Sequence, residues 1–195
     1  MAEVAIFLDR DGTINEDIGY VSSPDELNIY PYAATAVRLI NEAGLKAIII
    51  TNQSAIARQI CDEPMMATIH ERLTTVLERD GAHIDAIYYC PHHPRIGQPP
   101  YRQACECRKP NPGMLRQAAR EHALDLSASY VIGDKASDMN LAANAGARGA
   151  LVLTGYGSET LAARDRLLSA PAIIADDLLD AVRQILDRRG SAVVR

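Results

Sequence analysis

The apolar run from Val4 to Leu8 ends abruptly in Asp9-Arg10-Asp11-Gly12-Thr13. A short, unbroken apolar segment fits a strand covered on both faces, as in a parallel sheet. In open α/β sheets, ligands bind beyond the carboxyl ends of such strands, where the two acids would sit. Strand geometry carried to its end puts Asp9 and Asp11 on one side, because side chains alternate with period two. Two carboxylates so close repel unless a cation or a proton sits between them. Mg²⁺, a hard cation with oxygen ligands that bridges to phosphate oxygens, resolves that conflict. Gly12 allows close backbone approach to a ligand and Thr13 adds a hydroxyl. A carboxylate can attack phosphorus to give an aspartyl-phosphate, and a second can exchange protons with the leaving alcohol and the incoming water. Asp9 is the candidate nucleophile and Asp11 the candidate acid-base.

The chain has 195 residues, which suits one domain with a substantial core. Its formal net charge is −5 and it carries no Lys/Arg-rich block, so a nucleic-acid footprint is missing and none is expected as partner. No Trp and a single Phe, Phe7, argue against a stacking platform for single strands. No apolar run approaches a membrane span and the N-terminus carries no signal-like core, so a cytoplasmic protein is expected.

Further along, Ile14 to Tyr32 reads as a turn-rich loop over the strand ends, where Asp17, Gly19 and Tyr20 are candidate substrate contacts. Helical spacing over Ala33 to Ala43, closed by Gly44, predicts a crossover helix. The strand Lys46 to Ile50 then runs into Thr51-Asn52-Gln53-Ser54, whose hydroxyls and amides can hydrogen-bond phosphate oxygens without adding charge. Arg58 either orients substrate or is an ordinary surface arginine. Between Thr13 and Thr51 the crossover helix leaves no room for a separate domain. Asp62 and Pro64 mark the start of a helix that ends at Gly81, and Cys61 reads as a structural thiol.

A strand over Ile84 to Tyr89 leads into Cys90-Pro91-His92-His93-Pro94, followed by Cys105-Glu106-Cys107. Three cysteines and one of the two histidines fit a closed, structural zinc site stiffening a loop over 90–107; reduced thiols or a Cys90–Cys107 disulfide are the alternatives. Arg108 and Lys109 follow at once and supply local positive charge, Lys109 for the phosphoryl group and Arg108 for a second anionic group. A helix from Asn111-Pro112 to about His122, a strand Tyr130 to Asp134, a helix Ala136 to Ala145 and a strand Ala150 to Leu153 come next. Lys135, Ser137 and Asp138 directly follow Asp134. Leu178 to Arg188 predicts an amphipathic helix, and 190–195 a flexible tail after a single domain over 1–189.

Asp9-Arg10-Asp11-Gly12-Thr13 resembles the first motif of the haloacid dehalogenase (HAD) superfamily of phosphatases. Thr51, Lys109 and Asp134 stand in order at the second, third and fourth motifs. The zinc loop between the second and third is similar to that of the heptose bisphosphate and histidinol-phosphate phosphatases, which implies His92 as the zinc ligand with Cys90, Cys105 and Cys107. Ala55 and Gln59 depart from the glycines usual there.

The resemblance implies a capless three-layer α/β Rossmann-like fold with a central parallel sheet. It also implies Mg²⁺ held by Asp9, Asp134 and the Asp11 backbone carbonyl, and catalysis by Asp9, Asp11, Thr51, Arg108 and Lys109. Substrate contacts are expected from Asp17, Gly19, Tyr20, Thr51, Asn52, Gln53, Ser54, Arg108, Lys109 and Lys135. The implied activity, in a monomer, is removal of the 7-phosphate from D-glycero-D-manno-heptose 1,7-bisphosphate on the way to surface glycans. Histidinol phosphate is the rival substrate. A non-catalytic, zinc-stabilised phosphosugar-binding module is the rival of another class.

Overall fold

The computed structural model of the chain describes residues 3–193. Its centre is β1, Ala5–Leu8, flanked by β2, Lys46–Asn52, on one side and β4, Tyr130–Gly133, on the other. With β3, Ala86–Cys90, β5, Arg148–Val152, and β6, Ile173–Ala175, the sheet order is β3-β2-β1-β4-β5-β6 and every pairing is parallel. β1 is buried from end to end because it alternates between two cores. Ile6 and Leu8 meet Ala33, Val37 and Ile40 of α1, Ala33–Glu42, and Val182 and Ile185 of α6, Leu178–Val193. Ala5 and Phe7 meet Met114 and Leu115 of α3, Gly113–Glu121, and Leu141 of α4, Ala136–Ala145. Helices thus cover both faces, giving the expected three layers.

The chain leaves β1 toward β2 on one side and reaches β4 on the other only later, so β1 and β4 diverge at their carboxyl ends into the crevice where such sheets bind ligands. Asp9 N still donates to Ile132 O at 2.9 Å, which holds the first acid at that point. α2, Glu63–Arg79, starts where expected, with Asp62 Oδ1 accepting from Met65 N at 2.8 Å. Among the described residues no further sheet or helical domain is inserted after β1 or β2, as a capless fold requires.

Some boundaries differ from expectation. β3 starts at Ala86 rather than Ile84 because Asp85 turns its carboxylate back onto Ala47 N at 2.9 Å and Lys46 Nζ at 3.0 Å. α3 begins at Gly113, after Asn111 and Pro112. α6 runs through Gly190 to Val193, into the segment expected as a tail from Gly190, since one interior glycine costs a helix only about 1 kcal/mol. Residues 194 and 195 lie outside the described residues. α5, Gly157–Ala162, and the three-residue β6 were not anticipated; both are too short for a periodic pattern to register. Among the described residues no helix is long and apolar enough to cross a membrane.

Candidate active site

Lys109 is the charge around which the site is assembled. Its Nζ lies 2.9 Å from Asp9 Oδ1 and 2.6 Å from Asp138 Oδ1, and donates to Ile50 O at 3.1 Å, so the buried ammonium faces two carboxylates and a carbonyl. Burial alone would lower its pKa, but Asp138 and Asp9 outweigh that and raise it, so the ammonium stays charged. Its main chain is pinned from β2: Lys109 N donates to Asn52 Oδ1 at 3.0 Å and Asn52 Nδ2 donates to Lys109 O at 3.2 Å. Asn52, expected to contact substrate, lines the small cavity and also aligns the lysine.

Asp9 is 4% exposed, and burial pushes its carboxyl up to about 6 against the pull of Lys109. Asp134, from the end of β4, is fully buried. Desolvation, followed by the charge of Asp9, pushes it up to about 7. Its Oδ2 accepts from Tyr156 N at 2.8 Å, while Oδ1 has no hydrogen-bond partner. Asp9, Asp134 and Asp138 bring carboxylate oxygens within 4.8 Å of one another. A Cβ on Gly12 (φ 84°) would lie 2.3 Å from Asp134 Oδ2, and one on Gly155 equally close, so both glycines keep the approach to this carboxylate clear. Hard oxygen donors, an orphaned buried carboxylate oxygen and the raised carboxyls of Asp9 and Asp134 fit a divalent cation of the Mg²⁺ type.

Asp11 lines the same small cavity, of about 50 Å³, with Asp9, Thr51, Asn52, Lys109, Lys135 and Ser137. Its carboxylate accepts from Arg10, from Asn15 Nδ2 at 2.9 Å and from Gln53 Nε2 at 2.9 Å. Burial by itself would raise its pKa, but the Arg10 charge and these hydrogen bonds hold it below the usual range. Gln53 Nε2 also donates to Thr51 Oγ1 at 2.8 Å, linking second-motif and first-motif side chains. A larger groove of about 460 Å³, lined by Ile56, Cys61 and Pro99 among others, contains none of Asp9, Asp11, Asp134 and Asp138.

The loop after β1 is tied to the rim. Asp17 Oδ2 accepts from Lys135 Nζ at 2.6 Å and Asp17 Oδ1 from Gly19 N at 2.8 Å. Lys135 also lies 5.1 Å from the Tyr156 ring centroid, and Arg58 lies 5.1 Å from that of Tyr20. Arg58 is thereby placed beside the loop residues. Ser54 sits half-buried in the turn after β2.

Cys90, at the end of β3, gathers with His92, Cys105 and Cys107. Cys90 Sγ is 3.5 Å from Cys105 Sγ and 3.9 Å from His92 Nδ1; Cys107 Sγ is 3.3 Å from Cys105 Sγ and 3.4 Å from His92 Nδ1. A tetrahedron with roughly 2.3 Å bonds to sulfur has edges of about 3.8 Å, so the four atoms are spaced for one zinc ion. All four cysteines are free thiols, against the disulfide alternative. His93 turns away: its Nδ1 accepts from Arg95 N at 3.1 Å and Ile96 N at 3.0 Å, capping a turn. Arg108 Nη1 donates to His92 O at 2.9 Å, so the zinc loop sets where that arginine stands.

Sequence reasoning missed Arg10, Asn15, His70, and the Gly155–Tyr156 turn that reaches Asp134 from beyond β5. Only Arg10 left a trace, as a lone charge between two motif acids. Asp138, which follows Asp134 by four residues, is paired with Lys109 and accepts from Lys135 N at 3.0 Å, opening α4.

The HAD-hydrolase-like family model matches residues 106–181. A D-glycero-D-manno-heptose-1,7-bisphosphate 7-phosphatase of Thermosynechococcus vestitus is 42% identical over 95% of this chain and 96% of its own length. The D-glycero-beta-D-manno-heptose-1,7-bisphosphate 7-phosphatase of Escherichia coli is 44% identical over 77% of this chain and 80% of its own. The crystal structure of a D,D-heptose 1,7-bisphosphate phosphatase from B. bronchiseptica, complexed with magnesium and phosphate, superposes with a TM-score of 0.86 at 36% identity. It covers 95% of this chain and 99% of that one. Fold and site therefore define a phosphatase of the HAD-like class. Within that class, the chain belongs to the family of the heptose bisphosphate phosphatases.

Proposed function

We propose that the chain hydrolyses the phosphate at position 7 of D-glycero-D-manno-heptose 1,7-bisphosphate, releasing heptose 1-phosphate and inorganic phosphate in the synthesis of nucleotide-activated heptose. The observation that carries the reading is the Lys109 ammonium seated between Asp9 and Asp138, beside Asp134, at the carboxyl ends of β1 and β4.

A carboxylate oxygen of Asp9 attacks phosphorus as the bond to the sugar oxygen breaks, giving an aspartyl-phosphate on Asp9. Asp11, ionised in the free site, relays a proton from the bound phosphate monoanion to the departing sugar oxygen, then takes one from the water that attacks the same phosphorus and frees Asp9. Lys109 offsets the charge of Asp9 so that an anionic phosphoryl group can approach. Thr51 and the turn through Gln53 and Ser54 border the phosphoryl group, Asn52 acts through Lys109, and Arg108 with Lys135 offers positive charge to the rest of the substrate. Asp17, Gly19 and Tyr20 close over the sugar. Asp9, Asp134 and the Asp11 carbonyl are the groups to hold Mg²⁺, which when bound offsets phosphoryl charge. Cys90, His92, Cys105 and Cys107 hold zinc in a closed, structural site.

A cytoplasmic monomer with a small phosphorylated sugar as its partner fits these features, since one chain supplies the whole site. Phosphate release from heptose 1,7-bisphosphate, compared with histidinol phosphate and read with the identity of the sugar product, tests the proposal. Heptose 1-phosphate as product, with the bisphosphate preferred by kcat/KM, is expected; preference for histidinol phosphate overturns it.

A further inference from the structure

Arg10 is fully buried, although it stands between two acids that line an open cavity. A buried guanidinium is costly unless its donors are matched, and here every nitrogen has an acceptor. Nε donates to Asp11 Oδ1 at 3.1 Å, and Nη2 donates to both Asp11 oxygens at 2.9 Å. Nη2 also donates to Gln53 Oε1 at 3.2 Å, while Nη1 faces Met66 Sδ and His70 Nε2, each at 3.4 Å. Met66 and His70 lie on the buried side of α2, so a helix packed behind the sheet fixes the far end of the arginine. The near end is a fork on a carboxylate, an arrangement that sets the plane of the acceptor as well as its distance.

We propose that Arg10 is a positioning residue for the acid-base step: anchored by His70, Met66 and Gln53, it fixes the orientation in which Asp11 faces the phosphoryl cavity. This rests on the reading of Asp11 as the group that exchanges a proton with the sugar oxygen. Asp11 has two single bonds to rotate about, and a carboxylate free to turn would spend little time aimed at that oxygen. Asn15 and Gln53 each add one donor to Asp11, but the fork comes from Arg10 alone. Lys109 acts on the phosphoryl side, through Asp9, and has no contact of this kind with Asp11.

Leaving-group dependence separates positioning from a merely structural ion pair. A sugar alkoxide needs a proton as it leaves, whereas a nitrophenolate does not. kcat/KM is measured on heptose 1,7-bisphosphate and on 4-nitrophenyl phosphate for the zinc- and Mg²⁺-loaded wild type, R10M, R10K and D11N, with folded fraction checked by circular dichroism. R10K keeps the charge without the fork and serves where R10M does not fold. D11N sets the benchmark, a loss of about 10²-fold or more on the sugar phosphate and under about tenfold on the aryl phosphate. The proposal expects the folded Arg10 variant to reproduce that split. Equal losses on the two substrates, or wild-type rates on both, in the Arg10 variant overturn the proposal while leaving Asp11 in its role. Equal losses in D11N itself overturn the reading of Asp11, and the positioning proposal with it.

Discussion

Lys109 Nζ and Asp9 Oδ1 stand 2.9 Å apart in a site where the lysine is 4% exposed and the aspartate 4%. Such a pair is both a reactive arrangement and a structural hazard. The lysine keeps the nucleophile ionised and approachable, and it is also the only cation bonded to the buried Asp138 among the described residues.

Replacing Lys109 by methionine therefore leaves two buried carboxylates without a countercharge. The expected loss is about 3–5 kcal/mol of stability in metal-free protein, measured by denaturant unfolding, because breaking a buried pair strands its partners. Turnover falls for sugar and aryl phosphates alike. A Lys109→Met protein as stable as wild type contradicts the pairing.

Metal-free protein should show a pH dependence set by Asp9 and Asp134, whose carboxyls are pushed up to about 6 and about 7. Folded values above the unfolded value mean that their contribution is full below about pH 4 and is lost as pH rises through about 6 to 7. Mg²⁺ requires the ionised forms. The rise in Tm on adding saturating Mg²⁺ is thus expected to be larger at pH 8 than at pH 5, and an equal rise at both contradicts the acid pair as the metal site. EDTA should abolish turnover and Mg²⁺ restore it.

The zinc loop gives a separate expectation. Protein purified without chelator should contain about one zinc per chain by elemental analysis. Cys107→Ser should lose the metal and lower Tm more than a surface substitution does. Because Arg108 is bonded to the His92 carbonyl, the same variant should raise KM for the bisphosphate more than for 4-nitrophenyl phosphate. Full zinc-free stability would sink this reading.

What the sequence made legible, and what it hid, has a physical pattern. Asp9, Thr51 and Asp134 each terminate an apolar run, and Lys109 follows a cysteine pair; such signals are local, so period and position expose them. Gly44 and Gly146, both at positive φ, mark the ends of α1 and α4 for the same reason. Arg10 was not legible because its partners Gln53, Met66 and His70 come from β2 and α2, and only tertiary packing brings them together. The turn at Gly155 and Tyr156 reached Asp134 unnoticed because its contribution is a backbone N–H and a missing Cβ, neither of which a side-chain motif records. His92 and His93 could not be separated by spacing alone; the turn that His93 caps separates them.

The central claim is that Asp9 becomes covalently phosphorylated. Enzyme in excess over substrate labelled at the 7-phosphate, quenched in acid within the first turnover and mapped by mass spectrometry, tests it most directly. The account predicts transient phosphate on the peptide carrying Asp9, replaced by a homoserine at that position after borohydride reduction, and no such adduct in Asp9→Asn. Label on another residue, or full turnover with no covalent species in wild type and undiminished rate in Asp9→Asn, would contradict it.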